Sequence, residues 1–284
     1  MLEQLKIQNK RNKSKSPLKW FVMMLLLVAL IIIWYEIPVT EHIKLAGGDK
    51  VSSPMHFALV TDLHSCSYGK EQSCLVKMID DENPDAVLLS GDIFDDKLSD
   101  DNTKAFIRNI VSKYKCYYVT GNHEFWSGRV DEMKGWLREN GVIVLDGICV
   151  SDEINGNLVD FCGIDDPTEM IDTKWIEQLN GVYAASSPDN YRVLLSHRPE
   201  RYEKYEDYSF DLVVSGHAHG GQWRIPFVNI GLVAPDQSLF PRYINGLYEL
   251  DNNVQMIVSR GLSREKLPIP RFFNHPELII IDIE

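Results

Sequence analysis

Five short polar clusters, each at the end of an apolar run, constrain this chain more than any other feature. They are Asp62-Leu63-His64, Gly91-Asp92, Gly121-Asn122-His123-Glu124, Ser196-His197 and Gly216-His217-Ala218-His219. The runs before them are Phe57 to Val60, Ala86 to Leu89, Cys116 to Val119, Val193 to Leu195 and Leu212 to Val214. Short apolar, β-branched runs of this kind read as buried strands of a largely parallel sheet. Open α/β sheets bind ligands beyond the carboxyl ends of their strands. Five strands therefore bring their polar tips to one edge. Carboxylates, imidazoles and an amide gathered there are costly to bury unless a cation satisfies them. A metal centre is the simplest solution.

The 284 residues suffice for one large domain or two small ones. Charge is uneven. Residues 1–20 hold Lys6, Lys10, Arg11, Lys13, Lys15 and Lys19 against Glu3, a tail of +5, which leaves −17 on the rest of a chain whose net charge is −12. An acidic body argues against nucleic acid as a partner. It does not argue against small phosphorylated substrates, because bound metal ions would reverse the local field. Cys66, Cys74, Cys116, Cys149 and Cys162 form no C-x-x-C, so neither a zinc knuckle nor a redox motif is present. Buried or free thiols, with one or two disulfides, fit this set.

Trp20 to Tyr35 is sixteen residues without a charge, bounded by Lys19 and Glu36. As a helix it would span about 24 Å, short of a hydrocarbon core of roughly 30 Å unless its flanks snorkel. The reading is a basic cytoplasmic tail at 1–19, a single-pass transmembrane signal-anchor at 20–37, a stalk at 38–54 and a catalytic domain at 55–284. The positive-inside rule places that domain on the extracytoplasmic side of the cell membrane. A cleaved signal peptide is the alternative, but the first small-x-small site, Ala46-Gly47-Gly48, lies far from the apolar run.

From His56 onward strands and helices alternate. Helical spacing marks Glu71 to Asp81, Asn102 to Tyr114, Val130 to Asn140, Thr173 to Gly181 and Pro199 to Tyr208. Val142 to Leu145 and Leu158 to Cys162 read as strands of a second sheet. Gly246 to Leu250, Val254 to Ser259 and Leu278 to Ile283 read as further strands. The expected fold class is α/β: two packed mixed β-sheets flanked by helices, a four-layer sandwich, preceded by the N-terminal helix.

The candidate ligands are oxygen and nitrogen donors without thiolate, which favours Mn, Fe or Zn over Ca or Mg. Asp62, His64, Asp92, Asn122, His197, His217 and His219 are too many for one tetrahedral ion. They suit two divalent ions roughly 3.5–4 Å apart that share a carboxylate, hold a bridging hydroxide near neutrality and clamp phosphoryl oxygens.

Asp-x-His, Gly-Asp-x-x-Asp, Gly-Asn-His-Glu, a lone His and Gly-His-x-His, in this order, resemble the calcineurin-like metallophosphoesterases. The resemblance runs from about Phe57 to the C-terminus. It implies that Asp62, His64 and His219 hold one metal, that Asn122, His197 and His217 hold the other, and that Asp92 bridges them. It also implies that His123 faces the substrate and that Asp95 orients His123. Gly220-Gly221-Gln222, Ala234-Pro235, Arg242-Tyr243, Gly246-Leu247-Tyr248, Leu267-Pro268-Ile269 and Arg271-Phe272-Phe273-Asn274 resemble a bacterial, membrane-associated branch. That branch acts on phosphodiesters, including the pyrophosphate of nucleotide-linked lipid precursors. One departure bears on substrate. Protein phosphatases of this superfamily continue Gly-Asp-x-x-Asp with Arg-Gly, whereas Asp96-Lys97 follows here. The missing arginine fork favours diesters and pyrophosphates over dianionic monoesters.

The expected function is a membrane-anchored, binuclear metal-dependent phosphohydrolase acting on a phosphorylated small molecule or a lipid-linked, cell-envelope substrate. The rivals are a nucleotide phosphodiesterase and a non-catalytic metal-binding module. Glu124 reads as structural, bonding to backbone. Phe125 and Trp126 read as core or as a stacking wall. Arg198 reads as a phosphate contact or a solvated side chain.

Overall fold

The computed structural model describes residues 17–225, 230–264 and 271–284, without the side chains at 17, 18 and 29–33. Most of the basic tail and the Leu267-Pro268-Ile269 motif lie outside the described residues. Residues 1–34 and 35–284 form two separate units.

The first unit contributes helix α1 (Pro17–Tyr35), which forms over the apolar run. Proline suits a first helical position, and Ile37 before Pro38 disfavours helix, so α1 stops before residue 37. Trp20 to Val28 and Trp34 are exposed. Among the described residues no helix is long and apolar enough to cross a membrane, so the expected span at 20–37 stands only as a helix.

The second unit follows in the order β1 (Val39–Leu45), β2 (Met55–Val60), α2 (Ser73–Glu82), β3 (Ala86–Ser90), α3 (Asp101–Val111), β4 (Lys115–Val119), α4 (Asn122–Trp126), α5 (Val130–Glu139) and β5 (Ile143–Val144). It continues with β6 (Ile148–Ile154), β7 (Asn157–Gly163), α6 (Asp172–Ala185), β8 (Tyr191–Leu195), α7 (Tyr202–Tyr205), β9 (Leu212–Ser215), β10 (Gly246–Glu249), β11 (Gln255–Val258) and β12 (Glu277–Ile283). They build two six-stranded mixed sheets, β1-β12-β2-β3-β4-β5 and β10-β11-β9-β8-β7-β6.

Period-two alternation assigns each strand's two faces. Phe57, Leu59, Leu88, Tyr117 and Val119 of the first sheet pack on Phe161, Val193, Leu195, Leu212 and Val214 of the second. The Tyr117 and Phe161 rings stack across that interface with centroids 3.9 Å apart. The alternate residues Ala58, Val60, Val87 and Leu89 face α2, α3 and α5 through Leu75, Ile79, Phe106, Ile107 and Leu137. On the other side Cys162, Leu194, Val213 and Met256 meet Trp175, Leu179 and Tyr205 of α6 and α7. The result is the four-layer sandwich.

Two expectations change. Residues 38–54, read as a stalk, contain β1, an edge strand paired parallel to β12. Its Glu41, His42 and Lys44 hide the apolar period, as charges on edge strands do. Val142 to Leu145 yields β5, which pairs with β4 in the first sheet rather than joining the second. The five runs of the opening pattern are likewise divided: β2, β3 and β4 lie in one sheet, β8 and β9 in the other.

Candidate metal centre

Asp62, Asp92 and His217 each sit two residues past a parallel strand, as does His197, so all four project from the carboxyl edges of both sheets. The loops are laced together. The Asp62 and His64 N–H groups donate to the Gly91 and Asp92 carbonyls at 3.0 and 2.9 Å. Gly216 N–H donates to His197 O at 3.2 Å, and Ser90 Oγ donates to Val214 O at 2.9 Å, which ties one sheet edge to the other.

Glu124, fully buried in α4, accepts from the backbone N–H groups of Asp92 (3.0 Å), Ile93 (2.8 Å), Phe94 (3.0 Å) and Gly121 (2.8 Å). Burial and then the Asp92 charge push its carboxyl up to about 7 against those donors. Asp62, His64, Asp92, His217 and His219 all have positive φ, from 46° to 63°. Each such residue costs roughly 1–2 kcal/mol, a strain typical of sites where a ligand repays it.

The side chains converge in two groups. Asp62, His64 and His219 bring ligand atoms within 4.8 Å of one another, and so do Asp92, His197 and His217. Asp92 Oδ2 lies 3.6 Å from His64 Nε2 and 3.2 Å from His197 Nε2, between the groups. Asp62 Oδ1 lies 3.6 Å from His219 Nε2 and 3.9 Å from His197 Nε2. Asn122 opens α4, and the N–H of its neighbour His123 donates to Asp92 Oδ1 at 2.9 Å.

Four atoms test whether a metal fits. Asp92 Oδ2, Asn122 Oδ1, His197 Nε2 and His217 Nδ1 are buried and make no hydrogen bond. His197 Nδ1 lies 2.8 Å from Ser90 O, an acceptor only, so Nδ1 carries a proton and Nε2 is the nitrogen left to ligate once the ring is neutral. Nε2 faces the Asp92 carboxylate at 3.2 Å, an arrangement that requires positive charge between them, a proton or a metal ion. Burial alone would lower His197, but Asp92 and Asp62 outweigh it and hold the ring up to about 10. Burial pushes His219 down to about 3 despite Asp62, which keeps it a neutral nitrogen donor. The donor set fits two divalent ions.

His123 stands beside this centre. Its Nδ1 lies 2.8 Å from Asp96 Oδ1 and 3.4 Å from Asp95 Oδ2. Asp96, not Asp95, is thus the nearer carboxylate. Asp95 also meets His64 Nδ1 at 3.3 Å, and its Oδ1 accepts from the N–H groups of Lys97 and Leu98. Trp126 is 58% exposed with its ring 4.8 Å from that of His123, so it is no core residue.

Arg198 is buried and committed. Its Nε and Nη2 donate to Asp166 at 2.5 and 3.0 Å, and Nη2 also donates to Thr168 Oγ1 at 3.0 Å. Its Nη1 contacts Asp236 and lies 2.8 Å from His217 Nε2. Asp236 Oδ2 lies 3.1 Å from the same nitrogen. The His217 hydrogen bond, then Arg198, hold Asp236 well below the usual carboxylate range. A cavity of about 490 Å³ opens here, lined in part by Thr168, Arg198, Glu200, Lys204 and Asp236.

The fold thus gathers six of the seven residues singled out as ligands, with Asn122 beside them through its neighbour His123, and with His123 and Asp95 next to them. Sequence reasoning missed Asp96, Asp166, Asp236 and Gly261, whose missing Cβ makes room for Asp62. Asp96 was readable as the next carboxylate after Asp95. The others come from distant loops with no local signal.

Residues 55–221 match the family model described as calcineurin-like phosphoesterase. An uncharacterized metallophosphoesterase of Helicobacter pylori J99 is 27% identical over 236 residues, 81% of this chain and 60% of that protein. Another, of Aquifex aeolicus, is 30% identical over 209 residues, 72% of this chain and 74% of that one. A solved protein of Thermus thermophilus superposes with a TM-score of 0.50 at 12% identity, over 75% of this chain and 92% of that one, and shares the fold. The chain spans about 60% of the length of the Helicobacter relative.

Proposed function

The chain belongs to the calcineurin-like phosphoesterase family, and from that premise we propose that it is a two-metal phosphohydrolase of phosphodiester or pyrophosphate bonds. Asp62, His64 and His219 would hold one ion, and Asn122, His197 and His217 the other, with Asp92 shared. The observation that carries this reading is the clustering of Asp92, His197 and His217, of which Asp92 Oδ2, His197 Nε2 and His217 Nδ1, like Asn122 Oδ1, are buried without a hydrogen bond. When bound, the ions supply Lewis acidity and an activated water; Mn, Fe and Zn suit the donors.

The chain's own residues supply the rest. Asp96 accepts from His123 Nδ1, and the Asp95 carboxylate 3.4 Å away adds negative charge, so the two favour an imidazolium. That form can protonate a departing oxygen. Asn122 ligates without adding negative charge that would repel phosphate. The cavity beside His217 has room for the part of the substrate beyond the scissile group. Arg198 is engaged with Asp166 and so offers no open fork to a dianionic monoester, which supports diesters and pyrophosphates.

A lipid-linked or cell-envelope substrate, a membrane anchor in the 20–35 run and an extracytoplasmic catalytic domain complete the proposal. Its support is the uncharged run from Trp20 to Tyr35, exposed at Trp20 to Val28 and at Trp34, and the Cys149–Cys162 disulfide, a bond of oxidising compartments. A second reading, a nucleotide phosphodiesterase, is favoured by the exposed Trp126 ring beside His123, which suits base stacking.

The test strips full-length protein of metal, restores Mn, Zn, Fe or Mg singly, and assays bis-p-nitrophenyl phosphate against p-nitrophenyl phosphate. Metal-dependent diester turnover that His123→Ala lowers about 10²–10⁴-fold is expected. Retention of two ions with no turnover of either substrate or of lipid pyrophosphates sinks the enzymatic reading. Equal rates on soluble and vesicle-presented substrate count against the lipid assignment.

A further inference from the structure

We propose that Asp236 is a positioning residue that fixes the tautomer of His217 and so sets the affinity of the ion position formed by Asp92, Asn122, His197 and His217, an inference that rests on the two-ion reading above. The two ring nitrogens of His217 have opposite surroundings. Nδ1 is buried and makes no hydrogen bond, and the residue clusters with Asp92 and His197. Nε2 points the other way, 3.1 Å from Asp236 Oδ2 and 2.8 Å from Arg198 Nη1.

A neutral imidazole carries one N–H, and a ligating nitrogen must be the bare one. A guanidinium only donates. Arg198 alone would therefore place a lone pair on Nε2 and the proton on Nδ1, which blocks ligation through Nδ1. A carboxylate only accepts. Asp236 places the proton on Nε2 and leaves Nδ1 bare toward the ion. The two neighbours pull in opposite directions, and of the two hydrogens on Arg198 Nη1 Asp236 accepts one, while Glu200 Oε1, 3.5 Å from the same nitrogen, competes for the other. Asp166 and Thr168 take Nε and Nη2 of the same guanidinium. With Asp236 present, the ligating tautomer wins.

Asp236 has little packing role, because its side chain is 60% exposed. Its φ of 54° holds the loop in a left-handed turn that returns the carboxylate to His217, nineteen residues earlier. An outer carboxylate behind a ligating histidine commonly governs metal affinity about 10–100-fold.

The experiment uses full-length protein, metal-free and titrated with Mn(II). The readouts are bound Mn per chain by equilibrium dialysis and the electron paramagnetic resonance spectrum. Wild type is expected to take two ions and show a coupled pair. Asp236→Ala keeps the ion at Asp62, His64 and His219. Its second dissociation constant rises about 10–100-fold, and at limiting Mn(II) the six-line signal of an isolated ion replaces the coupled one. Asp236→Asn, whose carbonyl still accepts, weakens the second ion by a smaller factor. Metal-free melting temperatures identify any variant that fails to fold. An unchanged second dissociation constant in either folded variant overturns the inference. Wild type that never binds two ions overturns the two-ion reading instead.

Discussion

Glu124 Oε2 accepts the backbone N–H of Asp92 at 3.0 Å, so one buried carboxylate holds in place the other that is proposed to be shared by two ions. The same side chain takes Ile93, Phe94 and Gly121, and thereby joins the loops after β3 and β4. Replacing Glu124 by Gln turns an acceptor into a donor that faces buried donors. The expected loss is about 2–3 kcal/mol, one or two unsatisfied N–H groups. Urea unfolding of metal-free protein reads the stability, and dialysis should show fewer bound ions. A variant as stable as wild type would mean that water replaces the lost acceptor.

Gly91 separates strand β3 from Asp92 at φ +86°, and a Cβ there would overlap the His197 ring. Gly91→Ala should therefore displace a ligand as well as strain the backbone, with a loss of about 2–4 kcal/mol and weaker binding of the second ion. Gly128 is the control: its φ is +67° and nothing lies within 4 Å of its virtual Cβ. Gly128→Ala should cost only about 1 kcal/mol of backbone strain and leave metal content unchanged. Equal effects at the two positions would remove His197 from the explanation.

The centre was legible because its chemistry is local in sequence. Asp62 and His64, Asn122 and His123, and His217 and His219 travel in pairs behind strands whose apolar runs announce them. The strands had only to end at a common edge. What stayed hidden was pairing between distant segments. A run as short as Ile143-Val144 carries no mark of the sheet it joins, and it pairs with β4 rather than with the second sheet. Strand β1 was concealed because an edge strand alternates weakly and carries charge. Asp166 reaches Arg198 across 32 residues and Asp236 reaches His217 across nineteen, so no local spacing records either contact.

Cys149 and Cys162 face each other in the β6–β7 register and are joined by a disulfide. The bridge closes a loop of thirteen residues in sequence separation. Chain-entropy reasoning assigns such a loop about 3 kcal/mol, less where the hairpin persists in the unfolded state. The Cys149→Ser, Cys162→Ser double variant should lose about 2–3 kcal/mol in urea. Dithiothreitol should lower the melting temperature of wild type and leave the variant unmoved. Equal sensitivity of both proteins to reductant would show that the bond contributes nothing to stability.

Acid stability should depend on Asp100. Arg129 grips it with two bonds of 2.9 Å, and Lys104 lies 3.2 Å away. The Arg129 hydrogen bonds, against the opposing effect of burial, hold the carboxyl below its ordinary value of 3.8. A depressed folded-state pKa means that the unfolded chain binds the proton more readily. The stabilisation is therefore present above the unfolded value, near pH 4, and is lost as pH falls below it toward the folded one. Asp100→Asn removes the effect. Near neutrality the variant should be less stable by about 1 kcal/mol, the scale of a well-formed bidentate surface pair. Between pH 4 and pH 2 the difference should shrink toward zero, because wild type loses what the variant never had. Urea midpoints of metal-free wild type and variant at pH 6, 4, 3 and 2 measure it. A gap that stays constant with pH would assign the loss to packing rather than to the charge.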